Sequence, residues 1–389
     1  MEELDDVRHS VSSGSGQANR SVSNTRSSER EAIERHLSDN AGRYWPDLSG
    51  SSSLTLLRTQ ERLHTRLYWY RIDFILGFRE VVVKVPGDPE DISSGGDLGR
   101  PRLSTPPPLV DKYALEYKAL ELLSRHFTAL ADPRFGAVPI LDRISDVRGI
   151  VMEEINGVRM NRLFMRLGRL HPGRPPDILR RAVENAGAWL RQYHLLESSH
   201  AVTRQSHRAE YVDLVDRNCE YLATALPARR ALFAELAECT RAAAMRALPQ
   251  ELPLVLGHGD FAMRNLIVQP RGRVFVLDTL ALWREPAYED IGRFLLTMRF
   301  VRPQVYSHGV FLGEAQLRIV GRWLLDGYYG VEPVPTAQIR VYSVLLLLDM
   351  WSAEVGRQAP GPRAVDWVKS HLTNAWFARQ ARQLAAGLR

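Results

Sequence analysis

This chain has little that would staple or anchor it. Cys219 and Cys239 are the only cysteines among 389 residues. Two cannot build a disulfide framework, nor by themselves a metal site, and they fit a reducing, cytoplasmic setting. Long apolar runs are also missing. The longest, Val344–Leu348, is far short of the roughly 20 residues a membrane-spanning helix needs, so no stable membrane insertion is expected. The N-terminus reads Met-Glu-Glu-Leu-Asp-Asp, without the basic region and apolar core of a secretory signal. Lysine is scarce, at Lys84, Lys112, Lys118 and Lys369 only, so the net charge of +6 is carried by arginine. A basic balance permits anionic partners. No basic run is interleaved with stacking aromatics, however, and nucleic-acid binding is not expected. What is present suits a large core: 45% apolar and 25% charged residues, over a length that suggests two or three lobes.

Residues 1–43 are rich in Ser, Arg and Glu and read as disordered, with a short helix over Glu29–Leu37 as the one element within them. Gly14-x-Gly16 is not a nucleotide loop, since no strand leads into it. From Tyr44 the text changes. Arg66–Phe74 alternates, Gly77 marks a turn, and Glu80–Val85 is a further strand, which predicts an antiparallel meander. Lys84 sits inside the most apolar of these strands and needs either a partner or a wet tip. It can also be read as an edge-strand lysine that guards against aggregation. Asp91–Leu109 is a Gly-, Ser- and Pro-rich loop. Asp111–Phe127 is helical by periodicity, with Tyr113, Glu116, Leu120, Leu123 and Phe127 on one face. A carboxylate on that stripe calls for a cationic partner. Val138–Asp142 and Gly149–Glu153 read as strands, and Glu154–Gly157 breaks the pattern. Helices follow at Ile178–Leu196, Tyr211–Leu226, Ala231–Leu248, Gly313–Tyr329, Thr336–Val355 and Ala364–Leu388. His194 reads as a packing or capping residue. The fold class is therefore α+β, strands first and helices after.

The chemistry concentrates in Pro253–Met298. Leu254–Leu256 runs into His258-Gly259-Asp260, and Asn265 follows five residues after Asp260. Two short strands, Leu266–Val268 and Val274–Leu277, flank a Pro-Arg-Gly-Arg turn, and Asp278 ends the second. Asp290 heads a helix. Phosphoryl transfer asks little covalent help of a protein: a group to orient the attacking hydroxyl, and oxygen ligands for Mg²⁺. An amide oxygen at Asn265 and a carboxylate at Asp278 suit that hard cation, which leaves Asp260 as the candidate base. The plain alternative is that Asp260 and Asn265 are turn formers and Asp278 ends a strand. Asp290 fits a helix-dipole acid as well as a bracing role.

H-G-D-F-x-x-x-N-L-I-V, then V-x-x-L-D, then P-x-Y-x-D-I-x-x-F resembles the catalytic segment of aminoglycoside phosphotransferases and choline kinases. The resemblance implies a bilobal protein-kinase-like fold, with a small antiparallel β-sheet N-lobe carrying one helix and a larger helical C-lobe. After the segment 1–43, read as disordered from its composition, it implies a nucleotide-binding lobe over 44–155 and a catalytic, acceptor-binding lobe over 156–389. It implies an ATP- and Mg²⁺-dependent transfer of phosphate to a hydroxyl of a small molecule such as a sugar, polyol, aminoglycoside-like or choline-like acceptor. Asp260 matches the catalytic aspartate, and Asn265 and Asp278 match the two metal ligands. Asp290 matches an aspartate that braces the catalytic loop through His258. Lys84 matches the lysine that holds the nucleotide phosphates, with Glu116 its glutamate partner. The Glu153 carbonyl and Ile155 amide fall where adenine is hydrogen-bonded.

The pattern is not met everywhere. The phosphate-covering stretch, Thr59–Thr65, has no glycine. Asp278 is followed by Thr279 and Leu280, not Phe-Gly, as in the small-molecule branch. Ala262 stands where protein kinases carry a lysine for the transferring phosphate, and Arg264 is a candidate stand-in. Arginine outnumbers acids 15 to 9 between 157 and 250, which favours a neutral or anionic acceptor over a polycation. The glycine-free stretch motivates a second reading, a kinase-like binding or regulatory module with weak catalysis. No sequence feature assigns an oligomeric state.

Overall fold

The computed structural model describes residues 18–48, 53–62, 65–86, 101, 109–168, 177–357 and 364–389. It divides into two compact units, one comprising 1–86 with 141–152, the other 87–140 with 153–389.

The first unit is built on a five-stranded sheet of order β1-β2-β3-β6-β5. Its strands are β1 (Ser53–Arg62), β2 (Thr65–Phe74), β3 (Gly77–Pro86), β5 (Ile140–Ile144) and β6 (Gly149–Glu153). β1 to β3 form the expected antiparallel meander. Alternation in β2 sends Tyr68, Tyr70, Ile72 and Phe74 inward, to meet Val81, Val83 and Val85 of β3. One face of helix α1 (Ala18–Tyr44) covers this layer. Ile33, Leu37 and Ala41, spaced by four, are buried there. Over Ala18–Arg43 this corrects the expected disorder: the short helix expected at Glu29–Leu37 is the middle of a longer one, and residues 1–17 lie outside the described residues. Three apolar residues in a polar stretch signal a short helix at most; the sheet's apolar face gives a longer one something to bury against. Ion pairs add to the docking, Glu29 with Arg66 at 2.6 Å and Asp142 with Arg43. A second correction concerns Thr59–Thr65. Instead of a seven-residue loop, Thr59–Arg62 continue β1 and pair with Thr65–Tyr68.

The expected loop over Asp91–Leu109 lies outside the described residues, apart from Pro101 and Leu109. In the second unit, helix α2 (Leu109–Leu130) precedes the short strands β4 (Phe135–Gly136) and β7 (Val158–Arg159) and helix α3 (Met160–Met165). Helices α4 (Asp177–His194), α5 (Arg208–Ala225) and α6 (Arg230–Ala247) follow, with β8 (Val202–Thr203) between the first two. Then come β9 (Leu254–Gly257), β10 (Leu266–Val268), β11 (Val274–Val276), β12 (Trp283–Pro286), α7 (Tyr288–Thr297) and α8 (Arg302–Tyr306). The chain closes with α9 (Glu314–Tyr329), α10 (Thr336–Arg357) and α11 (Ala364–Ala386). Two small sheets carry the middle of this unit, β4-β11-β10-β7 and β8-β12-β9. Two apolar clusters hold the helices. One runs from α2 and α4 through β9–β11 to α9. The other joins α5, α6, α10 and α11. In the first, Phe127 stacks on Trp189 at 5.0 Å, and Trp189 stacks on Tyr193 at 5.2 Å. The described residues form the mixed α+β architecture expected, with the sheet-rich unit first and the helical unit larger.

Candidate active site

β9 delivers His258-Gly259-Asp260, and β12 holds that strand antiparallel, with Trp283 opposite Gly257. Gly259 turns the chain at φ +79, a left-handed conformation that suits a residue without Cβ. Phe261 is fully buried, its ring parallel to Trp189 at 6.2 Å, so the loop is nailed down on the residue after Asp260. A single 3₁₀ turn, Met263–Asn265, then leads into β10. β10 and β11 pair as a hairpin, Leu266 with Val276 and Val268 with Val274. Beyond it the Leu277 amide donates to the Asn265 carbonyl at 2.8 Å. That bond closes the segment on itself and sets the start of Asp278 beside Asn265. The Asn265 side-chain amide donates to Asp260 twice, to Oδ2 and to the backbone oxygen, both at 2.9 Å. The Arg264 guanidinium takes the other carboxylate oxygen, Oδ1.

Asp290, at the head of α7, is buried beneath the loop. Its Oδ2 accepts the His258 amide at 2.6 Å, and its Oδ1 accepts the Gly259 amide at 2.9 Å. The brace thus runs through His258, by its backbone amide, and through the amide of Gly259. His194 stands on the far side of Asp290, Nε2 to Oδ2 at 3.1 Å and Nδ1 to the Tyr328 hydroxyl at 2.7 Å. Burial alone would raise the Asp290 carboxyl. The hydrogen bonds from His194 and from the His258 amide outweigh it and hold the group below the usual aspartate range. The His258 ring has its own task. Nε2 lies 3.2 Å from the Leu277 carbonyl, which only accepts, so Nε2 carries the proton. Nδ1 is then free to accept the Asp260 amide at 3.3 Å. This is a neutral imidazole, and burial accordingly lowers its pKa, against the opposing fields of Asp290, Asp260 and Asp278.

Asp278 is exposed and left-handed, with φ 61. A non-glycine residue holds such a conformation only when its neighbours impose it. Leu277 does so on one side. On the other, Thr279 is buried, its hydroxyl 2.7 Å from the Tyr193 hydroxyl and accepting the Ala281 amide at 3.2 Å. Asp260, Asn265, Asp278, His258 and Asp290 thus meet around one loop. The other expected site residues stand on other elements. Lys84 is half-buried on β3 of the first unit, opposite Leu67. Glu116 is buried on α2. Glu153 ends β6, its amide donating to the Pro139 carbonyl at 3.0 Å, and Ile155 lies in the irregular stretch after it.

A family model described as "Phosphotransferase enzyme family" matches residues 101–328, more than half of the chain. The chain belongs to the phosphotransferase enzyme family. The matched range contains Glu116, Asp260, Asn265, Asp278 and Asp290; Lys84 precedes it. No curated protein matches the sequence at a significant level. Among solved structures, the chain is similar to the macrolide 2′-phosphotransferase MphH from Brachybacterium faecium. Identity is 17% over 88% of this chain and 96% of that one, with a TM-score of 0.47. It is similar to the aminoglycoside phosphotransferase APH(4)-Ia, at 14% identity over 92% and 98% of the two chains and a TM-score of 0.49. It is also similar to the choline kinase LicA from Streptococcus pneumoniae, at 13% identity over 90% and 99% and a TM-score of 0.46.

In this phosphotransferase the donor set beside the loop fits a hard divalent cation. The Asn265 side chain directs its amide hydrogens at Asp260, which leaves Oδ1 as an oxygen donor, and Asp278 supplies an exposed carboxylate. Mg²⁺ takes one or two protein oxygens of this kind, with phosphate and water completing its shell. Among the described residues no group of three or more His, Cys, Asp and Glu side chains is placed to hold a metal.

Sequence reasoning missed several supports. His194 read as a packing residue, yet it joins Asp290 to Tyr328. Its one signal was a histidine at the end of a strongly amphipathic helix. Thr279 registered only as a departure from Phe-Gly. Arg204 gave no signal at all. It lies buried between Glu285 of β12 and Glu289 of α7, and Arg293 also reaches Glu289, at 3.2 Å. Burial holds the Glu285 carboxyl well above its usual range, against the pull of Arg204. No linear spacing brings residues 204, 285 and 289 together.

Proposed function

We propose that this phosphotransferase moves the terminal phosphate of ATP to a hydroxyl of a small molecule, with Mg²⁺. The observation that carries the reading is the Asp260 carboxylate, held in a partly exposed turn by Asn265, on a segment whose far end presents Asp278. Asp260 orients the acceptor hydroxyl and takes its proton. Mg²⁺, held through Asn265 and Asp278, would supply charge neutralisation at the phosphates. Lys84 holds the nucleotide phosphates, with Glu116 as its brace, and the backbone at Glu153 and Ile155 receives the base. His258 and Asp290 keep the loop in shape. Most of the rate comes from positioning and charge neutralisation. The excess of arginine over acids in the helical region favours a neutral or anionic acceptor, such as a sugar, a polyol or a phosphorylated metabolite.

Screening hydroxyl-bearing metabolites for ADP release identifies the acceptor. With it in hand, Asp260→Ala is expected to lower turnover by about 10²- to 10⁴-fold, the usual worth of a general base, and to leave nucleotide binding intact. Turnover at the wild-type level would remove Asp260 from the mechanism. A second reading, a kinase-like module with weak catalysis, draws on the absence of glycine from the sequence of Thr59–Thr65. A protein that releases no ADP with any acceptor yet still binds nucleotide would favour it.

A further inference from the structure

The two carboxylate oxygens of Asp260 are held by different kinds of partner. Oδ2 is held by Asn265, a buried side chain fixed at the root of β10. Oδ1 is held by Arg264. The Arg264 and Asp260 side chains are 52% and 42% exposed, so this contact is open to water and cheap to break. Arg264 lies on the turn that joins Asp260 to Asn265, four residues after Asp260. Its backbone is secured without its side chain. The carbonyl of Arg264 accepts the Arg159 guanidinium at 2.7 Å, and the Asn265 amide donates to the Ala262 carbonyl at 2.9 Å. The guanidinium is thus a solvent-exposed charge on a fixed post, resting on the oxygen that would receive a proton.

We infer that Arg264 is a further catalytic residue: it covers Asp260 in the resting enzyme and transfers its hydrogen bonds to the migrating phosphate when the substrates are bound. This rests on the proposed reaction. During transfer the acceptor oxygen forms its bond to the terminal phosphorus while the bond from that phosphorus to the bridging oxygen breaks. ADP leaves with the electron pair, and the hydroxyl proton passes to Oδ1 of Asp260. A guanidinium that remained on Oδ1 would compete with the incoming hydroxyl for that oxygen. One that moves to the phosphate frees the base and offers charge to oxygens that need it, for which a planar fork of donors is well shaped. Ala262 provides no cation on this turn, and among the described residues Arg264 is the cationic side chain hydrogen-bonded to the Asp260 carboxylate.

The experiment measures ADP release from MgATP with the acceptor found by the screen, or with water as acceptor, for the wild type, Asp260→Asn, Arg264→Ala and Arg264→Lys. Expected are a fall in kcat of at least about tenfold in Arg264→Ala, little change in the KM for ATP, and partial recovery in Arg264→Lys. Dilute guanidinium, below denaturing levels, should restore part of the rate to Arg264→Ala and none to Asp260→Asn. Thermal unfolding should move little, because the turn is held by backbone contacts. Wild-type turnover in Arg264→Ala overturns the inference. A rate lost together with the unfolding temperature, and recovered neither by lysine nor by guanidinium, overturns it too and leaves Arg264 a structural residue. A wild type that releases no ADP is a different result: it removes the proposed reaction itself.

Discussion

His258 shows how one side chain can tie a site to solvent pH. Its ring is buried and neutral, donating to Leu277 and accepting from the amide of Asp260. In the unfolded chain a histidine takes up its proton below about pH 6.5. In the folded protein His258 does so only at lower pH, so stability falls as pH drops through the window between the two values. Asp290 adds a second loss of the same sign. Its folded pKa is depressed, so its contribution is complete above the ordinary aspartate range and disappears as pH falls through the depressed value. Unfolding in denaturant at a series of pH values is expected to give a falling free energy between about pH 7 and pH 5. His258→Gln should flatten that stretch, and an unchanged slope in the variant would place the acid sensitivity elsewhere. The residue types were legible here, but the wiring was not. His258 and Asp290 were paired from the sequence; that the loop reaches Asp290 through the backbone amides of His258 and Gly259 was not, because amides carry no residue identity to read. His194, 64 residues before His258, joins them only because α4 packs beside the loop.

At the scale of elements, the three-stranded sheet that carries the loop is intolerant of added bulk. A Cβ on Gly257 would lie 2.1 Å from Oε1 of Glu285 and 2.2 Å from its carboxyl carbon, and Glu285 is locked against Arg204. Gly257→Ala should therefore cost about 1–3 kcal/mol and lower activity, since the displaced strand leads directly into His258. Urea unfolding and turnover measured together check this, and a neutral result on both would mean that Glu285 has room to move. Helix α1 offers a separate test. Leu37 is fully buried against the sheet, so Leu37→Ala should cost about 2–5 kcal/mol. A change below about 0.5 kcal/mol, the range of ordinary surface substitutions, would show that the helix contributes little. The strand meander and the long helices were readable because their periods of two and 3.6 are written locally. Of helix α1 only the stretch Glu29–Leu37 was readable, because the burial that extends it depends on the apolar face of β2 and β3, from another part of the chain.

At the scale of the whole molecule, nucleotide binding and metal dependence report on the proposed reaction. A ligand that binds only the folded state stabilises it by about 2.7 kcal/mol at a hundred times its Kd. Thermal unfolding is expected to shift upward with ATP and Mg²⁺, and less with ATP plus a chelator. Asn265→Ala and Asp278→Ala should shrink the difference between the two conditions, and Lys84→Ala should weaken the shift in both. A shift that ignores the metal in the wild type would count against Asn265 and Asp278 as its ligands. No helix among the described residues is long and apolar enough to cross a membrane.

Residue order alone determined the α+β class, the meander, most of the long helices and the set of groups on the segment from His258 to Asp278, because Asp260, Asn265 and Asp278 lie within one stretch and a hairpin of known period brings its ends together. Tertiary structure decided what surrounds them. The Arg204 cluster joins residues 204, 285 and 289, His194 reaches Asp290 across two helices, and Thr279 holds Asp278 in a left-handed turn through Tyr193. These contacts depend on packing between elements far apart in the chain, and hydrophobic periodicity records which face is buried without recording what it is buried against.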